Sequence, residues 1–123
     1  MSKYLPLSVA NEFIRRSSDG ETHMKLQKLV YMAYGVWLRD HDAPFIAEPP
    51  QVWPYGPVFD SLYHQLKDFR ANKITQPQNM LGADGAILDE EITSLIQRVW
   101  DKYKTVSGPG LSEIAHLPGS PWH

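Results

Sequence analysis

Apolar residues recur every three or four positions along most of the chain, and this spacing predicts a mainly α-helical fold. The first apolar stripe lies in residues 7–16, with Ser8 as the predicted N-cap. The second lies in residues 22–39, with Thr22 as the predicted N-cap, and two apolar lines run along it instead of one. A helix with two apolar faces needs neighbours on several sides, so we expect this segment to be the central, buried helix.

Prolines interrupt the helical pattern after this segment. Residues 42–57 hold five of the ten prolines, a density that excludes an α-helix and favours short extended pieces with a small β pairing. Gly56 is then the predicted N-cap and Pro57 the predicted first residue of the next helix, whose apolar stripe extends to Arg70. The prolines and the glycine make residues 52–59 a stiff segment.

The C-terminal half predicts two further helical segments. Residues 71–87 form a long polar loop with scattered apolar positions. The cleanest apolar stripe of the chain follows, from Asp89 to Val106. The sequence SGPG then predicts a break, and residues 111–117 predict one or two helical turns.

Length and composition narrow the class of protein. A chain of 123 residues predicts one domain, residues 1–123, which we expect to be a compact fold of about five helices around the central one. The absence of cysteine excludes disulfides and thiolate chemistry. A net charge of -2 disfavours nucleic acid as a partner. No signal-peptide core and no apolar run of about 20 residues is present, so we expect a cytoplasmic protein without membrane association.

Patterns typical of catalysis and metal binding are missing from the sequence. No two of the five histidines stand four positions apart, and His116 with His123 would need further ligands from elsewhere to hold a metal. A hydrogen bond at a helix end explains His116 better. Glycine-rich phosphate loops and the G-x-S-x-G nucleophile pattern are absent. We therefore expect no catalytic residue, no metal and no cofactor.

The rival hypothesis is an enzyme, a small hydrolase or transferase. Its polar groups would have to converge in one pocket, with a shifted pKa on one of them. The candidates for such a pocket are Lys25, Lys28, Tyr31, Tyr55 and His116.

Two pairs of side chains suggest contact with a partner. Lys25 and Lys28 lie in the first turns of the central helix, where the helix dipole disfavours cations. We expect their stems to carry the charges out to solvent; the alternative is a contact with an acidic partner or a carboxylate near the stiff segment. Trp53 and Tyr55 lie in that segment, outside any stripe. They pack over helix ends, or face a protein partner, or do both.

Three blocks of the sequence resemble the Panacea domain, the SocA-like antitoxin domain also seen in phage-associated proteins. The blocks are MKLQKLVYMAYGVWL at 24–38, WPYGPVFDSLYHQLK at 53–67 and LSEIAHLPGSPW at 111–122. The specific part is K-L-x-K-L-x-Y followed by W-x-Y-G-P. The family's signature residues fall here on Lys25, Leu26, Lys28, Leu29, Tyr31, Trp53, Tyr55, Gly56, Pro57, His116, Pro121 and Trp122.

The resemblance implies a function. It indicates a mostly helical antitoxin of a two-gene toxin–antitoxin module, which neutralises a cognate protein toxin by direct protein–protein binding. Some relatives act as proteolytic adaptors that deliver the toxin to a protease, so a cytoplasmic AAA+ protease is a second implied partner. We expect the partner-binding residues to be Lys25, Lys28, Tyr31, Trp53 and Tyr55.

Two departures from the family pattern lie near the C-terminus. Ala115 precedes the signature histidine, where the family usually has threonine or serine. Relatives continue past the Pro121-Trp122 pair with another helix, whereas this sequence stops at His123. Without that helix, apolar surface would be exposed, and it would suit either a partner or a homodimer contact.

Overall fold

The computed structural model describes residues 3–54, 56–79 and 88–115. Within these ranges the chain forms five α-helices and one two-stranded sheet. The elements are α1 (Pro6–Arg16), α2 (His23–His41), β1 (Gln51–Trp53), β2 (Gly56–Val58), α3 (Asp60–Leu66), α4 (Glu90–Tyr103) and α5 (Gly108–Ala115). The predicted mainly α fold with a small β pairing is confirmed.

The second helix occupies the centre of the molecule. It packs against all four other helices and against β2. Thr22 caps it, because the Thr22 hydroxyl oxygen accepts a hydrogen bond from the backbone N–H of Lys25 at 3.3 Å. Apolar side chains are buried on more than one face of it: Leu26, Leu29, Val30, Met32, Ala33 and Trp37. The predicted central position and N-cap are both confirmed.

The amphipathic helices α1 and α4 cover α2 with their apolar faces. The ring centroids of Phe13 on α1 and Trp100 on α4 lie 6.5 Å apart, which joins the two helices across the core. α1 begins at Pro6, whose missing N–H is harmless at a helix start. Ser8 is therefore buried inside the helix, and its predicted role as N-cap is wrong. α4 ends at Tyr103, short of the predicted Val106.

The fifth helix begins inside the sequence that predicted a break. A Cβ added at Gly108 would lie 3.0 Å from Cγ of Met24 and 3.2 Å from the backbone N of Lys25. Glycine here lets the start of α5 approach the start of α2 closely. The Ser107 hydroxyl accepts the backbone N–H of Gly110 at 3.1 Å and caps the helix.

The proline-rich segment folds as an antiparallel hairpin, β1–β2. Its register pairs Gln51 with Val58, Val52 with Pro57 and Trp53 with Gly56. Gly56 has a φ of 110°, a backbone angle that residues other than glycine rarely adopt. The predictions that Gly56 is an N-cap and that Pro57 opens a helix are therefore wrong; both residues belong to β2.

The hairpin is held on α2 by side chains that bind its backbone. Lys28 Nζ donates to the Pro57 carbonyl at 2.8 Å. Gln27 makes two bonds with Phe59: its Oε1 accepts the backbone N–H at 2.9 Å, and its Nε2 donates to the carbonyl at 3.2 Å. These backbone groups are thereby satisfied outside a helix, which keeps the chain extended through residue 59.

The third helix is shorter than predicted at both ends. It begins at Asp60, where the Glu48 carboxylate accepts the backbone N–H of Ser61 at 3.2 Å and also the Ser61 hydroxyl. A carboxylate from outside the helix thus serves as its N-terminal cap. A single 3-10 turn, Lys67–Phe69, follows the helix before the chain reverses at Arg70.

The described part of the long loop is pinned to α1 and to the start of α2. Ile74 and Glu21 form an isolated antiparallel bridge. The buried Asn11 side chain exchanges two hydrogen bonds of 2.8 Å with the backbone of Gln78. Residues 80–87 of the predicted loop lie outside the described residues.

Candidate partner-binding site

A pocket of about 240 Å³ lies where the first turns of α2 meet the hairpin and α3. Four of its residues come from α2, two from the hairpin, one from α3 and one from the turn after α3. They are His23, Met24, Gln27, Lys28, Trp53, Val58, Tyr63 and Arg70. The walls are mainly apolar with a few polar groups, the composition typical of binding sites. We call this set the hairpin pocket.

Lys28 is the most unusual residue of the hairpin pocket. Only 2% of it is exposed, so the expectation that its charge reaches solvent is wrong. Its ammonium group donates to the Pro57 carbonyl and, within the described residues, has no carboxylate within ion-pair distance. Burial lowers the pKa of Lys28 to about 8. The group is thus a buried cation whose charge only a carbonyl dipole offsets.

His23, the first residue of α2, lies beside Lys28 in the same pocket. Burial first, and then the Lys28 charge, lower the pKa of His23 to about 4, so the imidazole is neutral at pH 7. Its Nε2 lies 3.1 Å from Nε2 of Gln27. A neutral imidazole adds no positive charge to the site, and it offers one donor and one acceptor nitrogen.

Aromatic rings form one wall of the pocket. The ring centroids of Trp53 and Tyr63 lie 4.8 Å apart, and those of Tyr63 and His23 lie 5.6 Å apart. The indole N–H of Trp53 donates to Gln51 Oε1 at 3.0 Å. Beside this wall, Val52 is 76% exposed and Met24 is 39% exposed. Trp53 thus packs against α3, while Val52 and Met24 expose apolar side chains on the hairpin and on α2.

Arg70 lies at the rim in a strained backbone conformation. Its φ of 54° and ψ of -123° match the first central position of a type II′ β-turn, and Asn72 N–H donates to the Phe69 carbonyl at 2.9 Å to close that turn. This position strongly favours glycine. Arg70 is exposed and, among the described residues, has no side-chain hydrogen bond or ion pair. The turn therefore holds a free guanidinium at the mouth of the pocket.

Lys25 lies on the other side of α2 and does not line the pocket. It is 6% exposed, so the expectation that its charge reaches solvent is wrong here as well. Its Nζ is 3.1 Å from the Glu21 carboxylate and donates to the Lys104 carbonyl at 2.5 Å. The same ammonium lies 5.5 Å from the centre of the Trp100 ring. Lys25 therefore joins the C-terminus of α4 to the start of α2.

Tyr31 is also buried, with 3% of the residue exposed. Burial first, and then the neighbouring Tyr34, raise the pKa of Tyr31 to about 12. Of the five predicted partner-binding residues, the structure thus brings Lys28 and Trp53 together in the pocket and leaves Lys25 and Tyr31 in the interior. The fifth, Tyr55, lies outside the described residues.

The signature residues have mixed positions. Leu26 and Leu29 are core residues with no exposed surface, and Gly56 and Pro57 form β2. The remaining three, His116, Pro121 and Trp122, lie outside the described residues. The structure does not bring Lys25 and Lys28 into one pocket, as the enzyme hypothesis required. Their ammonium groups bind two separate carbonyls, those of Lys104 and Pro57.

Sequence reasoning missed six pocket residues: His23, Met24, Gln27, Val58, Tyr63 and Arg70. Gln27 carried a usable signal, since a polar amide in the middle of a two-faced apolar helix needs a buried partner. Arg70 carried none, because its backbone conformation depends on how α3 ends and not on local composition.

Two features of the described residues bear on function. In residues 3–54, 56–79 and 88–115, no helix has the length and hydropathy to cross a lipid bilayer. The same residues contain no group of three or more His, Cys, Asp or Glu side chains placed to share a metal ion.

Comparison with known proteins identifies the family. Residues 26–123 match the family described as Antitoxin SocA-like, Panacea domain. Antitoxin SocA of Caulobacter vibrioides (strain NA1000 / CB15N) is 26% identical in an alignment of 108 residues that covers 82% of this chain and 57% of that protein. This chain therefore spans little more than half of that relative's length, and no solved structure matches it. The family match covers most of the chain and confirms the resemblance seen in the three blocks: the protein belongs to the SocA-like antitoxin family and carries its Panacea domain.

Proposed function

We propose that the protein is the antitoxin of a toxin–antitoxin module and neutralises a cognate protein toxin by binding it directly, without catalysing a reaction. The observation that carries this proposal is membership of the SocA-like antitoxin family. The local geometry supports a binding role, since an aromatic hairpin with exposed apolar side chains lies beside a small pocket. Tryptophan and neighbouring apolar groups are typical anchors of protein interfaces, and Trp53 is partly exposed beside the exposed Val52.

The contact surface that we propose is centred on Trp53 and Val52, and by its position in the sequence Tyr55 is included with them. Three hydrogen bonds fix the hairpin backbone on α2, so little ordering free energy is lost when a partner binds. Lys28 contributes from the pocket. Like Lys28, which is the most buried of the three, Lys25 and Tyr31 act indirectly, because their burial gives a partner almost no surface to touch.

Co-expression with the product of the neighbouring gene tests the function. We expect that product to stop growth when expressed alone and growth to return when this protein is present. A neighbour that is harmless alone, or one that stays toxic in the presence of this protein, refutes the proposal. Size-exclusion chromatography of lysates from the same cells distinguishes the two modes of action. Direct neutralisation leaves a stable complex, whereas delivery to an AAA+ protease removes the toxin. The chromatography also reports whether this chain is a homodimer.

Substitution of Trp53 tests the surface. Trp53→Ala should weaken toxin binding by about 2 kcal/mol or more, as expected for an interface anchor. Tyr103→Ala on α4 is the matched control, since it removes a half-buried aromatic ring that does not line the pocket. Circular dichroism of both variants reports whether the fold is kept. If Trp53→Ala and Tyr103→Ala bind the toxin and restore growth equally well, the interface lies elsewhere on the molecule.

A further inference from the structure

The hairpin pocket has a chemistry that defines what the partner inserts into it. Resting on the proposed toxin binding, we propose that the pocket receives an acidic side chain of the toxin, an aspartate or a glutamate, whose carboxylate binds Arg70 at the mouth of the pocket in the positive field of the buried Lys28. An apolar neighbour of that acid packs against Trp53 and Val52. The class of partner is thus a protein that presents a carboxylate next to an apolar residue.

Charge is the first support for this proposal. Lys28 and Arg70 are the cationic residues of the pocket, His23 is neutral at pH 7, and no acidic side chain is among the described residues that line it. Three carboxylates on the adjoining elements are engaged elsewhere, and the exposed Asp68 on the 3-10 turn before Arg70 does not line the pocket. Glu21 pairs with Lys25, Asp60 faces His64 at 3.4 Å, and Glu48 caps α3. The pocket therefore has unbalanced positive charge, which favours an anionic group from outside.

Size and wall chemistry select a side chain over a metabolite. The volume of about 240 Å³ is below the roughly 300–1,000 Å³ of sites that take small-molecule ligands. The apolar walls of Val58, Tyr63 and Trp53 suit the methylene groups of an aspartate or glutamate. A carboxylate also matches the planar donor fork of Arg70, which binds both oxygens at once.

The strain at Arg70 is the second support. The first central position of a type II′ turn favours glycine, and a residue held in such a region costs about 1–3 kcal/mol. No hydrogen bond within the described residues offsets this cost through the Arg70 side chain. Strained residues of this kind concentrate at binding sites, where the backbone aims a functional group. A guanidinium fixed at the pocket mouth is consistent with that role.

Nucleic acid fits the same positive charge less well. Two cations supply at most two phosphate contacts, whereas salt-dependent binding to a phosphate backbone rests on about 6–10. One of the two, Lys28, is almost completely buried and bound to a carbonyl, so it has no line of approach to a duplex surface.

An NMR titration tests the pocket without the toxin. The probes are two blocked dipeptides, N-acetyl-Leu-Glu-amide and N-acetyl-Leu-Gln-amide, which differ only in charge. We expect the Glu probe to shift the Trp53 indole N–H signal saturably in the millimolar range, and the Gln probe to bind about tenfold more weakly, as the loss of a hydrogen bond to a charged group implies. Equal binding of the two probes, or no saturable shift with either, overturns the proposal.

Variants assign the charge. Arg70→Gln and Lys28→Met should each weaken the Glu probe several-fold, and Lys67→Gln, which removes an exposed cation outside the pocket, should not. Arg70→Gln lies at the surface and keeps the result interpretable even where Lys28→Met changes the fold. Unchanged affinity in Arg70→Gln refutes the pairing. The same variants measured against the toxin separate the two proposals: wild-type protein that binds no toxin refutes the function, whereas toxin binding that ignores both variants refutes only the acidic contact.

Discussion

Replacing the buried Lys28 with methionine separates the free-energy cost of its charge from its contribution to the fold. Methionine has a similar length and flexibility but carries no charge. The variant removes one hydrogen bond, from Nζ to the Pro57 carbonyl at 2.8 Å, and it removes a cation that is 98% shielded from solvent by the fold. These two effects have opposite signs, so their magnitudes decide the outcome.

The cost of the charge follows from the titration of Lys28. Burial lowers its pKa from 10.5 to about 8, and at about 1.36 kcal/mol per pKa unit this corresponds to a penalty of about 3 kcal/mol for the charged form at pH 7. Leaving the Pro57 carbonyl without its donor costs about 1–3 kcal/mol. At pH 7 the free energy of unfolding of Lys28→Met should therefore equal that of the wild type or exceed it by up to about 2 kcal/mol.

The difference in stability between Lys28→Met and the wild type changes with pH. Between about pH 8 and 10.5 the unfolded chain keeps the Lys28 proton that the folded protein has lost, so wild-type stability rises in this window. The variant lacks the rise. The raised pKa of Tyr31 acts above pH 10 in both proteins and cancels in their difference. The advantage of the variant should accordingly fall by about 3 kcal/mol across the window.

Urea denaturation followed by circular dichroism, at pH steps from 7 to 10, measures this difference. Lys67→Met is the control, because it removes an exposed cation and should run parallel to the wild type. Wild-type and Lys28→Met free energies of unfolding that run parallel from pH 8 to 10 would refute the buried-charge account. So would a variant destabilised by more than about 3 kcal/mol at pH 7, since one lost hydrogen bond does not explain that much.

Three further substitutions test other parts of the structure. Arg70→Gly should stabilise the protein by about 1 kcal/mol in thermal denaturation, because it relieves a turn strain of about 1–3 kcal/mol and adds a glycine entropy cost of about 0.5–1 kcal/mol. Its affinity for the toxin should fall. A variant less stable than the wild type would argue against strain at Arg70. Glu48→Ala should lower the free energy of unfolding by about 1 kcal/mol through loss of the α3 cap, and Glu113→Ala on the exposed face of α5 should not. The hydrogen bond between His41 and Glu91, 2.9 Å long, raises the pKa of His41 above 6.5, so its stabilisation is complete below that pH and is lost as pH rises through the folded-state pKa. Glu91→Gln should flatten this part of the stability profile, and an unchanged profile would show that the contact does not act in solution.

The helices and the central place of α2 were predictable from the sequence, because amphipathic spacing reports directly which face a helix buries. Thr22 was predictable as a cap, since the signal and the helix it caps are adjacent. The start of α3 was not. Gln27 and Lys28 bind the backbone at Phe59 and Pro57, and this long-range competition overrides the local preference of Gly-Pro for a helix start.

The lysines show the same limit. Their positions in the first turns of α2 predicted exposed charges, because a helix N-terminus disfavours cations. The actual acceptors are carbonyls of Lys104 and Pro57, which only the folded chain brings within reach. The pocket itself unites residues from 23 to 70 and depends on the end of α3, so no single stretch of sequence contains it.

The hydrogen bonds from Gln27 and Lys28 of α2 to residues 57–59 are all made with main-chain atoms: the Pro57 carbonyl and the N–H and carbonyl of Phe59. These bonds do not involve the side chain of Val52, which is 76% exposed on the outer strand. Val52 is therefore a display position whose side chain can be changed while the main-chain bonds to α2 are kept. The domain is thereby a natural scaffold for selecting new protein specificities, with diversity confined to this position.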